Sequence, residues 1–264
     1  MERSRSVARE AARAAGDLIL AAWQQGRPQA ETKATGIDMV TATDRAADAL
    51  IANHLRAAFP DDELVLEETG RHLGASGSTR RWYVDPLDGT TNFAHGFPQF
   101  GVTLALEEEG VVVLGVTLDV TRGHLYEAAL GQGATVDGVP LRVSDTSDLG
   151  HALLATGFPY DRHTSGDDNT AEAIAFLKRV RGIRRPGAAS LDLAYVARGW
   201  LDGYWEMRLN PWDVAAGMLL VTEAGGAATN YAGGQMDIQG ATYAASNGHL
   251  HAAMLAVLAQ VRED

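Results

Sequence analysis

Nine consecutive residues, Asp85-Pro86-Leu87-Asp88-Gly89-Thr90-Thr91-Asn92-Phe93, constrain this chain more than any other stretch. They follow directly on Trp82-Tyr83-Val84, a run with the aromatic and β-branched character of a strand. A strand that ends in two carboxylates three residues apart either releases them into solvent or gives them a shared positive partner. Pro86 stiffens the segment and Gly89 allows a turn that a side chain would block. Asp85 and Asp88 can therefore converge on one cation with little ordering left to do on binding. Gly89, Thr90 and Thr91 carry backbone N–H groups where a turn or helix would start, a suitable cradle for a phosphate oxygen. Alone, Asp-Pro-x-Asp-Gly also reads as an ordinary strand-ending turn, because Asp, Pro and Gly all favour turns.

Three further acidic positions bear on that choice. Glu67-Glu68 ends another β-type run, Leu64-Val65-Leu66. Asp44 stands at the start of a helical pattern after Val40-Thr41-Ala42-Thr43, and Asp213 does the same after Pro211-Trp212. Taken singly, Asp44 and Asp213 suit the positive end of a helix dipole, and Glu67-Glu68 suits a solvated loop. Taken together, they supply enough oxygen ligands for two or three Mg²⁺ ions. Charge points the same way. The net charge of −12 repels a nucleic-acid backbone, so direct nucleic-acid binding is disfavoured. Such a chain can hold an anionic substrate by placing divalent cations between its own carboxylates and a phosphate. The chain has no cysteine, which excludes thiolate ligands, disulfides and Cys nucleophiles. Of its eight histidines only His249-x-His251 has a metal-like spacing, and that pair is remote in sequence from the acidic loops.

At 264 residues and 46% hydrophobic, the chain is long enough for one large domain or two closely packed halves, with no low-complexity tract. Apolar spacing from Val7 to Ile19 predicts a first helix ending near Gly26 and Pro28. A second helix follows Thr43 and stops at Phe59-Pro60. Strand-like runs at Leu64 to Leu66, Trp82 to Val84, Gly101 to Leu106, Val111 to Val116, His124 to Ala129 and Ala134 to Val143 read as an antiparallel meander, with a hairpin turn at Asp137-Gly138. After about residue 145, strands alternate with helices. Strands are expected at Ala152 to Thr156 and Gly203 to Glu206, and helices at Thr170 to Arg181, Ser190 to Arg198, Val214 to Ala224 and His249 to Gln260. This divides the chain into an N-terminal half, 1–145, and a C-terminal α/β half, 146–264, that complete one catalytic unit. Charged residues from Glu2 to Asp17 interrupt any leader-like apolar run, and no stretch reaches membrane-spanning length, so a cytoplasmic location is expected.

Val40 to Asp44, Glu67-Glu68-Thr69, Asp85 to Phe93 and Trp212-Asp213-Val214-Ala215-Ala216-Gly217 resemble, in order and spacing, the signature segments of the inositol monophosphatase family. The likeness extends to Gly131-Gln132-Gly133-Ala134, Gly187 to Ala194 and Glu223-Ala224-Gly225-Gly226, and so covers nearly the whole chain. It implies a layered α/β fold, the αβαβα sandwich of that family and the sugar phosphatases. It also implies Mg²⁺-dependent hydrolysis of a phosphomonoester, with inositol 1-phosphate as the leading substrate. By the resemblance, Glu67, Asp85 and the Leu87 carbonyl hold one ion, while Asp85, Asp88 and Asp213 hold a second. A weaker third ion would sit near Glu67, and Ca²⁺ or Mn²⁺ could replace Mg²⁺ in a crystal. Thr90 and Asp44 would position and deprotonate the attacking water, with Glu67 completing the catalytic set.

On the same footing Asp88, Gly89, Thr90, Gly187, Ala189, Glu206 and Asp213 would contact substrate, Glu206 through hydroxyls of the substrate ring. An exposed strand-end acid is the other reading of Glu206. Ala188 departs from the Ser or Thr common in relatives, which removes one polar contact. Lys33 matches a basic position in a loop that in relatives closes over the metals, and Trp212 reads as core. The resemblance further implies a homodimer and inhibition by lithium. Relatives include fructose 1,6-bisphosphate, 3′-phosphoadenosine 5′-phosphate and histidinol phosphate phosphatases, so these substrates stay open. Some bacterial relatives act in transcription through contacts with the RNA-synthesis machinery, which leaves a non-enzymatic binding role open too.

Overall fold

The apolar spacing near the N-terminus is realised in α1 (Glu2–Gln24), whose Ala8, Ala11, Ala12, Ala15 and Ile19 are fully buried. The structure, a computed structural model, describes every residue except 27–29, 33–38, 73, 76, 236 and 264. Lys33 therefore lies outside the described residues. A short antiparallel ribbon of β1 (Ala30–Thr32) and β2 (Met39–Thr41) leads into α2 (Ala42–Ala58), which packs on α1 through Ala47, Ile51 and Leu55.

β3 (Glu63–Leu66), β4 (Gly70–His72) and β5 (Arg80–Asp88) begin the larger sheet, and the short helix α3 (Thr90–His95) follows β5. β6 (Gly101–Glu108), β7 (Val111–Asp119), β8 (His124–Ala129), β9 (Ala134–Val136) and β10 (Val139–Pro140) complete it. The strand order is β10-β9-β8-β7-β6-β5-β3-β4, antiparallel except where β3 runs parallel to β5. Period-two alternation sorts the faces of β5. Trp82 and Val84 join the core under α1 and α2, while Tyr83 joins the core on the opposite face.

The second sheet, of order β12-β11-β13-β15-β14, is formed by β11 (Leu153–Thr156), β12 (Gly182–Arg184), β13 (Gly203–Met207), β14 (Ala227–Thr229) and β15 (Thr242–Ser246). α4 (Thr170–Leu177) and α7 (His251–Glu263) cover its outer side around Phe176, Trp205, Met254 and Leu258. Between the two sheets lie α5 (Ala189–Ala197) and α6 (Pro211–Glu223). All of α5 and the whole run Val214 to Val221 of α6 are buried, as helices flanked by a sheet on either side must be. The layers are thus α1/α2, the eight-stranded sheet, α5/α6, the five-stranded sheet and α4/α7, an αβαβα sandwich as the resemblance implies.

Several boundaries differ from those expected. The helix predicted over Thr170 to Arg181 ends at Leu177, because Arg181 and Gly182 donate to the Ala152 carbonyl and draw the chain into β12. The ladder predicted from Ala134 to Val143 shrinks to β9 and the two-residue β10, since the Val143 N–H bonds instead to the Ala224 carbonyl. The final helix starts at His251 instead of His249, after a turn in which Asn247 Oδ1 accepts from the Leu250 N–H at 3.1 Å. α2 starts at Ala42 and α6 at Pro211, two and three residues earlier than read from periodicity.

Close approach of the central layer depends on two glycines. A Cβ on Gly115 of β7 would lie 2.8 Å from Ala216 Cα, and one on Gly217 of α6 would lie 2.5 Å from Leu193 Cδ1. Gly115→Ala is therefore expected to push α6 off the sheet and destabilise the fold by about 1–3 kcal/mol, as measured by urea unfolding. A change within about 0.5 kcal/mol would show that the contact relaxes freely.

Candidate active site

β5 ends in an irregularity that decides where its acids point. Asp85 pairs with Thr103 and Asp88 with Gly101, so three steps on β5 oppose two on β6. In a regular strand, residues three apart face opposite sides. The extra residue of this bulge restores the parity and turns Asp85 and Asp88 toward one side. Pro86, which has no N–H to offer a ladder, sits inside the bulge. Asp85 Oδ1 accepts from the Leu87 N–H at 2.9 Å and fixes the loop locally.

Gly89 then adopts a left-handed conformation, φ 92°, as the cap of α3. A Cβ there would also meet the Gln99 carbonyl at 2.9 Å, so both strain and crowding demand glycine. Thr90 follows, with its hydroxyl 2.8 Å from Asp44 Oδ1 and 3.0 Å from the Leu87 carbonyl. Asn92 ties this turn to the loop before α5, its Nδ2 donating to the Gln99 and Pro186 carbonyls.

Asp44 and Asp213 occupy the same local position, third in their helices. The Asp44 carboxylate accepts from the Thr41 N–H at 2.9 Å while Thr41 caps α2 in return. Asp213 Oδ2 accepts from the Asn210 N–H at 2.7 Å at the start of α6. Each helix end therefore holds one carboxylate oxygen and fixes where the other points. The helix-dipole reading and the convergent-ligand reading of these acids are compatible, not rival.

Asp88 is held by the N-terminus of α5, where Oδ2 accepts from the Ser190 N–H at 2.8 Å and from the Ser190 hydroxyl. Burial nevertheless pushes its carboxyl up to about 6, with the Ser190 bonds opposing the shift and Glu67 adding to it. Asp85 is 2% exposed, and burial raises it well above the usual carboxylate range. Glu67, Asp88 and Asp213 reinforce that shift, and Asp85 also shares a hydrogen bond with Glu67. Asp213 is raised by burial and by Glu67 and Asp88. Asp44 is raised by burial against the hydrogen bonds from Thr41 and Thr90.

Glu67, Asp85, Asp88 and Asp213 thus share one electrostatic environment, drawn from residues on both sides of position 145. Among the described residues, no three His, Asp or Glu side chains are gathered tightly enough to form a coordination shell as they stand. The donor set still fits a hard divalent cation. It is all oxygen, and the charges acting most strongly on Asp85 are all negative, so the cluster calls for protons or cations.

A cleft of about 600 Å³, counting its open mouth, adjoins the cluster and is lined in part by Asp88, Gly187, Ala189, Glu206 and Asp213. Glu67, Asp85, Gly89 and Thr90 are not among its walls. Glu206 is 8% exposed and accepts from the Tyr204 hydroxyl, and burial pushes it up to about 7. It is therefore not an exposed strand-end acid. Trp212 is half-buried against the central core. His251 sits between Thr229 and Ser246 hydroxyls and is lowered by burial, a structural setting away from the cleft.

Sequence reasoning passed over Ser190, Asp192, Arg185 and Asn92. The legible signal was two polar residues inside the otherwise apolar run Ala188 to Ala197. Asp48 was also missed. It is fully buried one turn beyond Asp44, where its Oδ2 accepts from the Thr69 hydroxyl at 2.7 Å behind the Glu67-Glu68 turn.

The family model described as the inositol monophosphatase family matches residues 1–263. The chain is 40% identical over 253 residues to an inositol-1-monophosphatase of Synechocystis, covering 96% of this chain and 88% of that protein. It is also 40% identical over 256 residues to the Nus factor SuhB of Pseudomonas aeruginosa, covering 96% and 94%. The structure of an inositol monophosphatase from Anabaena superposes with a TM-score of 0.88 at 40% identity, covering 97% of this chain and 94% of that one. This chain belongs to the inositol monophosphatase family, whose members are generally metal-dependent. Among the described residues no helix is long and apolar enough to cross a membrane.

The raised acids define a pH dependence. Ordinary unfolded carboxyls titrate near 4, whereas Asp88 and Glu206 titrate near 6 and 7 in the fold. Between those limits the folded state binds more protons than the unfolded state, so stability falls as pH rises through the window. Tm in the presence of a chelator should therefore drop between about pH 5 and pH 7.5. A flat or rising Tm across that interval would contradict the assignment.

Proposed function

We propose that this protein is a Mg²⁺-dependent phosphomonoesterase that acts on inositol 1-phosphate, as a cytoplasmic homodimer. The observation that carries the reading is the set of three raised carboxyls, Asp85, Asp88 and Asp213, on each of which the charge of Glu67 also acts, so that four acids converge beside a cleft whose wall presents Glu206. In this reading those four acids and the Leu87 carbonyl hold two to three Mg²⁺ ions. Bound there, Mg²⁺ supplies Lewis acidity that acidifies water and neutralises phosphoryl charge.

Thr90 and Asp44 manage the proton. The Thr90 hydroxyl lies against Asp44 Oδ1, so a water donating to Thr90 passes its proton along that bond. The raised carboxyl of Asp44 is a stronger base for it than an exposed Asp. Glu206 and the backbone of Gly187 and Ala189 bind the leaving alcohol, and Asp88 is kept oriented by Ser190. The nine-residue segment and its glycine turn hold these groups in place, so little reorganisation accompanies the reaction.

Phosphate release should require Mg²⁺ and be fastest from inositol 1-phosphate, compared with fructose 1,6-bisphosphate, 3′-phosphoadenosine 5′-phosphate and histidinol phosphate. Asp88→Asn should lower turnover by a factor on the order of 100 or more with the fold intact. Full Mg²⁺-dependent activity in that variant would overturn the ligand assignment. The relative named a Nus factor supports a second reading, a binding role in transcription. Capture of RNA polymerase components equally by wild type and Asp88→Asn, without phosphate release, would favour it.

A further inference from the structure

The stretch 157–169 between β11 and α4 leaves the second sheet and returns to it as one closed loop with a bonded neck. Asn169, fully buried, donates through Nδ2 to the Gly157 carbonyl at 2.6 Å and to the Thr156 hydroxyl at 2.8 Å. Its Oδ1 accepts from Trp205 Nε1 at 2.8 Å. A compact loop with joined ends keeps its shape through a few fixing points. Its first residues, Gly157 to Tyr160, line the cleft, and a Cβ on Gly157 would collide with the Glu206 carboxylate. The loop thus begins against the acid that faces the leaving alcohol.

The far part of the loop is held from across the cleft by Arg208, which stands just past β13, between Glu206 and Asp213 in the chain. Arg208 Nη1 donates to Asp161, and Nη2 reaches Asp167 at 3.5 Å. Arg262 of α7 joins the same network, at 3.0 Å from Asp167 and 3.0 Å from Glu172. The Arg208 backbone has φ 57°, in the left-handed region, where a residue with a side chain is strained and glycine is not. Asp161 and Asp167 are 45% and 53% exposed, and ion pairs so placed add little to stability. Stability therefore gives no reason for arginine here. Position does, because the guanidinium spans from the strand end beside Glu206 to the loop that faces it.

We propose that Arg208 is a positioning residue that sets specificity, by locking the 157–169 loop so that Phe158 and Tyr160 stand as a fixed wall against the alcohol part of the substrate. This rests on the phosphomonoesterase reading and specifies what fixes the width of its cleft. A wall already in place makes its contacts without an ordering cost at the moment of binding. Among the described residues Arg208 bonds to the loop and not to Asp85, Asp88 or Asp213, so its effect falls on binding of the alcohol and not on the chemical step.

The test compares wild type with two variants. Arg208→Gly removes the clamp and suits the left-handed backbone; Asp161→Asn combined with Asp167→Asn removes the partners and leaves Arg208 in place. Tryptic cleavage after Arg162, inside the loop, followed by mass, reads loop opening without reference to activity. Both variants should be cut there about tenfold or more faster than wild type, with the Tm of Arg208→Gly equal to or above that of wild type. With Mg²⁺, KM for inositol 1-phosphate should rise about tenfold while kcat stays within about twofold. KM for methyl phosphate, whose alcohol is too small to reach the wall, should stay within about twofold. Unchanged cleavage after Arg162, an unchanged KM for inositol 1-phosphate, or an equal loss on both substrates would overturn the proposal while leaving the phosphatase reading standing. A wild type that releases phosphate from neither substrate would overturn both.

Discussion

Repulsion among Glu67, Asp85, Asp88 and Asp213 sets the terms for everything built around them. Like charges about 4 Å apart in a medium of effective dielectric about 20 repel by about 4 kcal/mol, and burial adds a desolvation cost to each. Left to themselves, such groups would swing apart. Here the three aspartates are each tethered by bonds within a few residues of themselves or by a helix end. The β-bulge turns Asp85 and Asp88 to one side, the Leu87 N–H holds Asp85, and the α5 terminus with Ser190 holds Asp88. Asp213 is held by the Asn210 N–H at the head of α6.

That arrangement explains why the middle layer is the least forgiving part of the fold. α5 and α6 are core on all sides, yet their N-termini supply the clamp on Asp88, the acid Asp213 and the buried Asp192. A displacement of α6 against β7 or of α5 against α6 would be felt at once in the carboxylate cluster. Gly115 and Gly217 let these elements approach more closely than any side chain would allow. Packing and chemistry are thus set by the same contacts.

The acids differ in how their charge is handled. Asp44 is saturated with hydrogen bonds and linked to Thr90, which suits a proton acceptor. Asp85, Asp88 and Asp213 face other acids, which suits cation binding. Glu206 faces a cleft with one oxygen engaged by the Tyr204 hydroxyl, which suits a hydroxyl-bearing ligand. One chemical group is used in three ways, and its surroundings make the difference.

The sequence alone determined the order of an antiparallel first half and an alternating second half, the first helix, most strands of the larger sheet and the acidic segments, because these rest on local periodicity and local turn chemistry; the layered class followed from resemblance to the family. Asp-Pro-x-Asp-Gly carries its own stiffness and its own turn. Only the tertiary structure decided the rest. Thr242 to Ser246 and Ala227 to Thr229 are strands because their neighbours pair with them, and Ala, Thr and Ser runs carry no alternation to announce it. The bulge that turns Asp85 and Asp88 together exists in the register between two strands and in neither strand alone. Ser190 meets Asp88 across 102 positions. Glu206 and Asp192 become buried acids only when a sheet and a helix close around them, since desolvation belongs to the packed molecule and has no signature in the order of its residues.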